Sequence, residues 1–498
     1  MQGVFHGAFV NLFDRPTQAK TWSSWCLSFL LVLPWLEPWA PSPLANVVPL
    51  LISWGCIGLV MASGWTLRPV DIARAWAIAA LLSSLIGLLQ YFGQADAWGA
   101  WMHAPDYPGE ARGNLRQRNQ LATLTAMGLI AIFCWVRMGL QRPQAVWMLA
   151  LVAMSNAATN SRTGLLQMLL VTGLVFWWSV LDRTNPQRLS WRLALWALGV
   201  YALATWALPF VLSMTSGQDS INALTRLGHD DGCGSRKVLW RNVLELIAQK
   251  PWWGWGWDEL KYAHYSASYS GERFCEILGN AHNGPLQLAF TLGVPLAALI
   301  MVSLLVIVLY MRPWQSRQTP QQLAWGALAV IGLHSLLEFP LWYGPFQMAV
   351  LLCTVLLLPA RLSSALAQSR ITTIVGTAIL ATVAFIAVDY SRVRQIFIPP
   401  GQRTGFWSGD ALSLAKSSVL FQDTAKFAEF SVTPVTPENA ARMLESGHQM
   451  LHYSPEPQVI RKVIKAALMA GDSATVERHR ALMKTAFPSE PDAVKPTP

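Results

Sequence analysis

The sequence predicts an all-α polytopic membrane protein with about eleven transmembrane helices. Three properties of the 498-residue chain support this fold class: 53% of the residues are apolar, only 13% are charged, and the mean hydropathy is +0.34. A soluble globular chain carries about a quarter charged residues. The composition therefore argues against a soluble enzyme and excludes a disordered chain.

The predicted spans are apolar runs long enough to cross about 30 Å of hydrocarbon. They are 22–39, 45–66, 71–93, 119–139, 145–159, 163–181, 193–214, 285–311, 322–340, 344–360 and 371–390. The first run follows Arg15 and Lys20, as in a signal peptide, but it lacks a small-residue cleavage site. We therefore interpret it as a retained span. The run 145–159 is short and is the least supported of the set.

The distribution of basic residues predicts the orientation of these spans. Alternate short loops contain arginine, whereas the loop 37–44 on the other side has no Lys or Arg. The arginines are Arg68, Arg74, Arg137, Arg142, Arg183, Arg188, Arg192, Arg312, Arg317, Arg361 and Arg370. By the positive-inside rule these loops and the N-terminus are cytoplasmic, and an odd number of spans places the C-terminus outside. We attribute the net charge of +10 to such loops, and no basic run with interleaved aromatics indicates a nucleic-acid partner.

Three segments fall on the outer side: the loops 94–118 and 215–284, and a polar tail after Arg392. The tail shows amphipathic helical patterns at 409–428, 437–452, 457–470 and 473–486, like a short tetratricopeptide-type array without a convincing period. We therefore divide the chain into a transmembrane domain, 1–391, and a helical periplasmic domain, 392–498. The second domain is expected to serve in docking or bracing.

Cys233 and Cys275 are the two cysteines of the long outer loop, while the other four lie in apolar runs. Because an outer loop faces an oxidising compartment, we expect these two to form a disulfide. No cysteine has CxxC spacing, and the histidines show no ligand-like spacing. The sequence therefore predicts no metal site.

Arginines on the outer side are the first chemical signal. Arg112, Arg116 and Arg118 lie within seven residues on the face that is normally depleted of arginine. One interpretation is loop solubility with partial pairing to Asp106 and Glu110. The other is an anion site, because guanidinium groups fit phosphate oxygens.

Two further outer arginines lie beside apolar segments. Arg162 stands between two apolar runs, where it either snorkels to lipid headgroups or has a function. Arg236 opens a run, Val238–Ile247, that fits an amphipathic helix lying on the membrane. Arg241, about one turn on, could share its face.

His282 directly precedes the span that begins near 285. Histidine exchanges its proton near neutral pH, which suits a general base, although a role in capping the following helix is the alternative.

His334 and Glu338 stand four residues apart, on one face of a predicted helix. A structural pair that closes the helix end explains them at least as well as catalysis.

Five short motifs around these residues resemble the O-antigen ligase/polymerase superfamily. They are Gln117-x-Asn119-x-Leu121-Ala122-Thr123, Ser161-Arg162-Thr163-Gly164, Arg236-x-x-x-Trp240, His282-Asn283 followed by Gly293, and His334-Ser-Leu-Leu-Glu338-Phe-Pro340-Leu-Trp342-Tyr343. Within the superfamily, the motifs are most similar to those of the bacterial O-linked oligosaccharyltransferases that glycosylate pilin and other periplasmic proteins. The resemblance covers about residues 20–390 in topology and contributes little to the tail.

The resemblance implies a cofactor-free, metal-independent glycosyltransferase of the GT-C type in the bacterial inner membrane. Such enzymes transfer a glycan from undecaprenyl diphosphate to a hydroxyl acceptor at the periplasmic face. Arg162 and Arg236 match arginines that hold the diphosphate, His282 matches the essential histidine, and Gln117 and Tyr343 match positions implicated in activity. We expect Arg116, Arg118 and Arg241 to support diphosphate binding by their charge.

Several functions compatible with these residues stay open. The sequence shows no pair of carboxylates that would indicate a covalent glycosyl intermediate. We therefore expect a single displacement, which inverts the anomeric centre. The acceptor is a pilin-like protein or, in an O-antigen ligase, lipid A–core. A transporter or flippase would instead line an anion pathway with these arginines, but no broken-helix pair at the midplane is evident. A non-catalytic assembly factor is a further alternative.

Overall fold

The computed structural model of the chain describes residues 18–217, 232–359, 369–403 and 409–488, together with 362, 365, 366 and 490. These residues form α-helices joined by loops and short 3₁₀ turns, and none of them forms a strand. The all-α polytopic membrane class is therefore confirmed. Arg15, Arg361 and the part of the predicted long loop from 218 to 231 lie outside the described residues.

The helices follow the predicted spans closely. They are α1 (Gln18–Leu36), α2 (Val47–Ala62), α3 (Pro69–Tyr91), α4 (Arg118–Arg137), α5 (Arg142–Ala158), α6 (Arg162–Leu181), α7 (Trp191–Ser216), α8 (Arg236–Gln249), α9 (Leu260–Ser266), α10 (Gly284–Leu292), α11 (Val294–Met311), α12 (Thr319–Ser335), α13 (Gly344–Leu357), α14 (Arg370–Arg394), α15 (Ala411–Lys416), α16 (Gln422–Val432), α17 (Ala440–Tyr453), α18 (Pro457–Ala470) and α19 (Ser473–Ala486).

Six of the described helices are long and apolar enough to cross a membrane. They are α3, α4, α6, α7 and the helical stretches Val294–Gln315 and Arg370–Phe397, which contain α11 and α14. Three described helices are apolar but shorter: α2, α13 and the part of α1 from Trp22 to Leu36. The count of eleven spans stays a prediction.

Helix α4 is the centre of the bundle, because every residue from Gln120 to Cys134 is buried. Its close approach to α3 depends on small residues: a Cβ on Gly128 would overlap Ala80. Membrane helices approach each other through small residues in this way, since dispersion contacts rather than hydrophobic burial hold them together. The buried position of α4 fixes the N-terminal end of the helix, where the site described below is built.

The arginine-rich loops lie at the opposite end of the bundle. Arg137, at the C-terminal end of α4, donates to Gln322 (2.6 Å) and to Asp182 (3.3 Å). Asp71, at the start of α3, is fully buried and forms ion pairs with Arg68 and Arg74. The end that holds the N-termini of α4 and α6 is called the site end from here on.

The predicted span 285–311 is not one helix, because Gly293 divides it into α10 and α11. Gly293 has a φ of 84° and ends α10. The loop 251–256 makes hydrogen bonds with the backbone on both sides of the interruption: Pro251 O accepts from Val294 N (2.7 Å), and Trp255 N donates to Phe290 O (2.8 Å). The backbone groups that the interruption releases are thus paired by this loop. Among the described residues, this apolar run is therefore interrupted where we expected a continuous helix.

The tail is a set of packed helices that contacts both the bundle and the long loop. The predicted helix 409–428 is divided into α15 and α16, because Asp389 of α14 accepts hydrogen bonds from the backbone of Val419 and Leu420 between them. Lys261 in the loop donates to Tyr453 O of the tail (2.8 Å). Tyr265 in α9 bonds to His479 of α19 (2.9 Å). The division into two domains at 391 stays a prediction.

Candidate active site

Glu338 is the centre of a polar cluster at the site end. Its carboxylate accepts hydrogen bonds from His282 Nδ1 (2.6 Å), from Asn119 Nδ2 (3.1 Å) and from the Arg236 guanidinium. The Glu338 side chain is 5% exposed, whereas those of His282 and Arg236 are 26% and 38% exposed. A buried carboxylate therefore holds two partly exposed basic groups in place, each from a different part of the chain.

The loop that carries His282 is fixed by its asparagine neighbours. His282 has a φ of 48°, in the left-handed region that non-glycine residues rarely adopt, and its amide donates to Asn280 Oδ1 (2.8 Å). Asn283 caps α10 by accepting from Leu286 N (3.0 Å), and it donates to Leu336 O (2.9 Å). The capping residue is thus Asn283, and backbone strain at His282 is typical of a functional position.

Arg236 is the first residue of α8, the amphipathic helix expected from the run Val238–Ile247. Ser235 caps this helix, since its side chain accepts from Val238 N (3.4 Å). One turn on, Trp240 Nε1 donates to Ala281 O (3.1 Å), next to His282. The same helix therefore positions Arg236 and braces the histidine loop.

Four helix N-termini meet at this cluster, those of α4, α6, α8 and α10. Asn119, in the first turn of α4, links Glu338 to Ser161, whose hydroxyl donates to Asn119 Oδ1 (2.6 Å). Ser161 also caps α6 by accepting from Gly164 N (3.0 Å), which puts the half-buried Arg162 at the first position of that helix. The other two N-termini are that of α8, which begins at Arg236, and that of α10, beside His282. Helix N-termini carry partial positive charge, so the arrangement favours an anion.

Asn119 and Ser161 were given no role by the sequence, although both stand in the motifs that carried the resemblance. The motifs were the feature of the sequence that could have identified these two residues. Their function in connecting α4, α6 and Glu338 depends on contacts between residues up to 219 positions apart.

The outer-loop arginines are placed differently from one another. Arg112 and Arg118 both pair with Glu110 (2.8 and 2.9 Å), as the loop-solubility interpretation expects. The Arg116 guanidinium donates to Pro38 O. Asp106 takes no part in these pairs. The structure thus gives Arg116 and Arg118 protein partners of their own, and diphosphate binding by them stays a prediction.

Arg241 does not share a face with Arg236. Its side chain is 55% exposed and pairs with Glu245 (3.5 Å) and Ser270 (3.3 Å). Five residues correspond to about 500° of rotation in an α-helix, which puts the two side chains about 140° apart. The expectation that Arg241 joins Arg236 is therefore not met by the geometry of α8.

The expected pairing of the His334 and Glu338 side chains stays a prediction. Helix α12 ends at Ser335, and just beyond it Glu338 N donates to His334 O (2.8 Å), which closes the helix end through the backbone. The two side chains line one pocket, but each makes its hydrogen bonds with other groups. His334 Nδ1 lies 2.8 Å from Thr123 Oγ1, and Gln167 Nε2 donates to the same hydroxyl (2.8 Å). His334 thus belongs to a buried network that joins α4, α6 and α12.

A narrow pocket lies directly beside Glu338. Its lining residues are Gln117, Gln120, His334, Glu338, Phe339, Pro340 and Tyr343. The Gln117 side chain caps α4 by accepting from Gln120 N (3.2 Å), and the Tyr343 hydroxyl lies next to Gln120. The two residues that the resemblance implicated in activity, Gln117 and Tyr343, therefore share one pocket with Glu338.

Cys233 and Cys275 are joined by a disulfide, with their Cα atoms 5.4 Å apart. The bond ties the start of α8 to the segment that leads to His282. Among the described residues, no group of three or more His, Cys, Asp and Glu side chains could hold a metal ion.

Comparison with known families finds three matches along the chain. Residues 111–132 match a protein glycosylation ligase family, and 147–301 match the O-antigen ligase family. Residues 322–497 match the C-terminal part of the virulence factor membrane-bound polymerases. Together the three segments contain every residue of the cluster around Glu338, and the third extends through the tail, well beyond the limit near 390 that we expected.

One characterised relative is a general O-oligosaccharyltransferase from Acinetobacter baylyi, which is 26% identical over 282 residues. The match covers 54% of this chain and 47% of the relative, so it spans about half the length of that protein.

Proposed function

We propose, from the similarity of the chain to O-antigen ligases and O-oligosaccharyltransferases, that it transfers a glycan en bloc from undecaprenyl diphosphate to a Ser or Thr hydroxyl of periplasmic proteins. The observation that carries this proposal is the cluster in which Glu338 holds His282 and Arg236 side by side. Glycan transfer needs a base for the acceptor hydroxyl and positive charge for the leaving diphosphate, and the cluster offers both.

His282 serves as the general base in this mechanism. In the tautomer that donates from Nδ1 to Glu338, Nε2 keeps its lone pair and can accept the proton of the acceptor hydroxyl. The acceptor oxygen forms a bond to the anomeric carbon, and the bond from that carbon to the phosphate oxygen breaks. Undecaprenyl diphosphate leaves with the electron pair. Glu338 is engaged by its basic partners, so a single inverting displacement is favoured over a covalent glycosyl intermediate.

Arg236 and Arg162 stabilise the leaving group. Negative charge develops on the phosphate oxygens in the transition state, and preorganised guanidinium groups stabilise that charge most effectively in a partly desolvated site. The N-termini of α4, α6 and α10 point partial positive charge at the same region. These groups supply positive charge without a metal ion, and we place the whole site at the periplasmic face of the inner membrane.

Two findings favour different acceptors. The matches to a protein glycosylation ligase family and to a general O-oligosaccharyltransferase support a protein acceptor, such as a pilin-like protein. The O-antigen ligase match covers Arg162, Arg236 and His282, and it supports lipid A–core as the second candidate. A transporter is the more remote candidate, and the interruption at Gly293 is its one structural support.

Transfer in vitro tests the proposal. Purified wild type and His282→Ala are given a defined undecaprenyl-diphosphate glycan with EDTA, and either a pilin-like protein or lipid A–core. We expect glycan on the protein with wild type and at least a 100-fold lower rate with the variant. Transfer only to lipid A–core would replace the protein acceptor and leave the site intact. Failure of folded wild type on both acceptors would refute glycan transfer and favour a transporter.

A further inference from the structure

We propose that Trp257 and Trp342 form a stacking platform for the second sugar of the lipid-linked glycan. This inference rests on the proposed glycan transfer and adds a binding site for the part of the donor beyond the reacting sugar. The two indole rings are stacked on each other, with centroids 5.9 Å apart and an interplanar angle of 7°.

The platform is connected to the reacting centre through one aromatic side chain. The ring of Phe339 lies edge-on to His282 (5.0 Å between centroids) and edge-on to Trp342 (6.2 Å). Phe339 follows Glu338 directly in the chain. Phe339 thus lies between His282 and Trp342, so the two tryptophans are within reach of the sugar that follows the one reacting at His282.

Trp257 is exposed, but the turn that carries it is fixed. Its side chain is 74% exposed. Gly256 and Asp258 on either side have φ values of 102° and 62°, in the region that favours glycine. On the far side of the turn, Glu259 accepts from His452 Nδ1 of the tail (2.7 Å). A large apolar ring held rigidly toward solvent is a surface prepared for a ligand, because ordering it on binding costs little entropy.

The chemistry of the platform fits a sugar. A pyranose presents a face of C–H groups that packs on an indole ring while its hydroxyls stay in water, and tryptophan offers the largest such surface. The membrane interface is the competing occupant, but other tryptophans fit it better. Trp253 is 90% exposed and lies in the loop that makes hydrogen bonds with the backbone on both sides of Gly293. The loop is next to α11, a strongly apolar helix of which only 6% is buried within the protein. Trp253 is therefore the matched control.

The test compares donors that carry one sugar and three sugars on undecaprenyl diphosphate. For Trp342→Ala and Trp257→Ala we expect the KM of the three-sugar donor to rise about ten-fold and kcat to change less than two-fold. The KM of the one-sugar donor should stay within two-fold of wild type, and Trp253→Ala should behave as wild type with both donors. Trp257→Phe should recover part of the loss, since it keeps a smaller ring.

Several outcomes would overturn the platform. The tryptophans would have another role if the KM rose equally for both donors, or if Trp253→Ala raised it as much as the platform variants do. A rise in the KM of the acceptor alone would also contradict the proposal. Donor binding to His282→Ala protein gives a second measurement that does not need transfer. If transfer fails but the three-sugar donor still binds more weakly to Trp342→Ala in that background, the platform stands and the proposed reaction falls.

Discussion

Replacing Glu338 by glutamine tests the cluster at its centre. Glutamine keeps the size of the side chain but removes its charge, and its amide presents one acceptor and one donor group where the carboxylate presents two acceptors. In the structure one carboxylate oxygen faces His282 Nδ1 (2.6 Å) and the other faces Arg236 and Asn119. If the NH₂ group faces Arg236 and Asn119, it meets two donors and those contacts are lost. If it faces His282, it can bond to Nδ1 only in the tautomer that carries the proton on Nε2, where the imidazole cannot act as the base.

The size of the effect follows from the bond to His282. A hydrogen bond to a charged group contributes about 1.5–3 kcal/mol, which corresponds to a factor of about 10 to 150 in rate. The histidine also loses the negative charge that stabilises its protonated form during the reaction. We therefore expect kcat for glycan transfer to fall about 100-fold. The KM for the donor should not rise, because Arg236 is released from its carboxylate partner and stays available for the diphosphate.

Steady-state transfer assays with a fluorescent lipid-linked glycan measure both constants, and thermal unfolding in detergent checks the fold. Glu338→Asp should recover part of kcat, because it restores the charge at a shorter reach. The double variant with His282→Ala should be no slower than His282→Ala alone, since Glu338 acts through the histidine. A kcat of Glu338→Gln within three-fold of wild type, or fully additive losses in the double variant, would refute the reasoning.

Three further predictions follow from the same geometry. Arg236→Ala should raise the donor KM and lower kcat/KM at least 100-fold in the transfer assay, whereas Arg241→Ala, on the other side of α8, should change it less than three-fold. Breaking the disulfide with Cys275→Ser should destabilise the outer loop by about 3–4 kcal/mol, measured by thermal unfolding and protease cleavage of the loop. Burial, with a smaller contribution from Arg273, lowers the pKa of His264 to about 3. The unfolded chain therefore binds a proton at His264 more strongly than the folded loop does. The free energy of unfolding of the loop should fall by about 1.4 kcal/mol per pH unit as the pH drops below about 6.5.

Each of these predictions has its own contrary result. Equal losses in Arg236→Ala and Arg241→Ala would show that general surface charge, not one guanidinium, binds the donor. A Cys275→Ser protein with wild-type unfolding and protease resistance would remove the disulfide from the account of the loop. For the acid effect, His264→Gln is the control, since it keeps a polar side chain without a titrating group. A variant that retained the full wild-type pH slope would assign the effect to other groups.

The sequence by itself determined the bundle and most of the chemical groups. Apolar runs of about 20 residues can satisfy their backbone only as helices in a membrane, so the helices lie close to the predicted spans. Charged residues at membrane boundaries are expensive, which is why Arg162, Arg236 and His282 could be singled out without any contacts. The pairing of Cys233 with Cys275 followed from their shared loop.

Only the tertiary structure decided which of these groups meet. The spacing of four residues placed Glu338 one helical turn from His334, and a backbone hydrogen bond does join the two (2.8 Å). No local pattern indicated that the Glu338 carboxylate meets His282, 56 positions away. Arg241 was grouped with Arg236 by proximity in sequence, yet the rotation of α8 turns it toward Glu245.

The same holds for the interruption at Gly293. A glycine in an apolar run is compatible with a continuous membrane helix, and the interruption becomes stable only because the distant loop 251–256 pairs the released backbone groups. Local sequence determines which backbone conformations and side-chain costs are possible. Contacts between segments far apart in the chain select among them, and no local pattern contains those contacts.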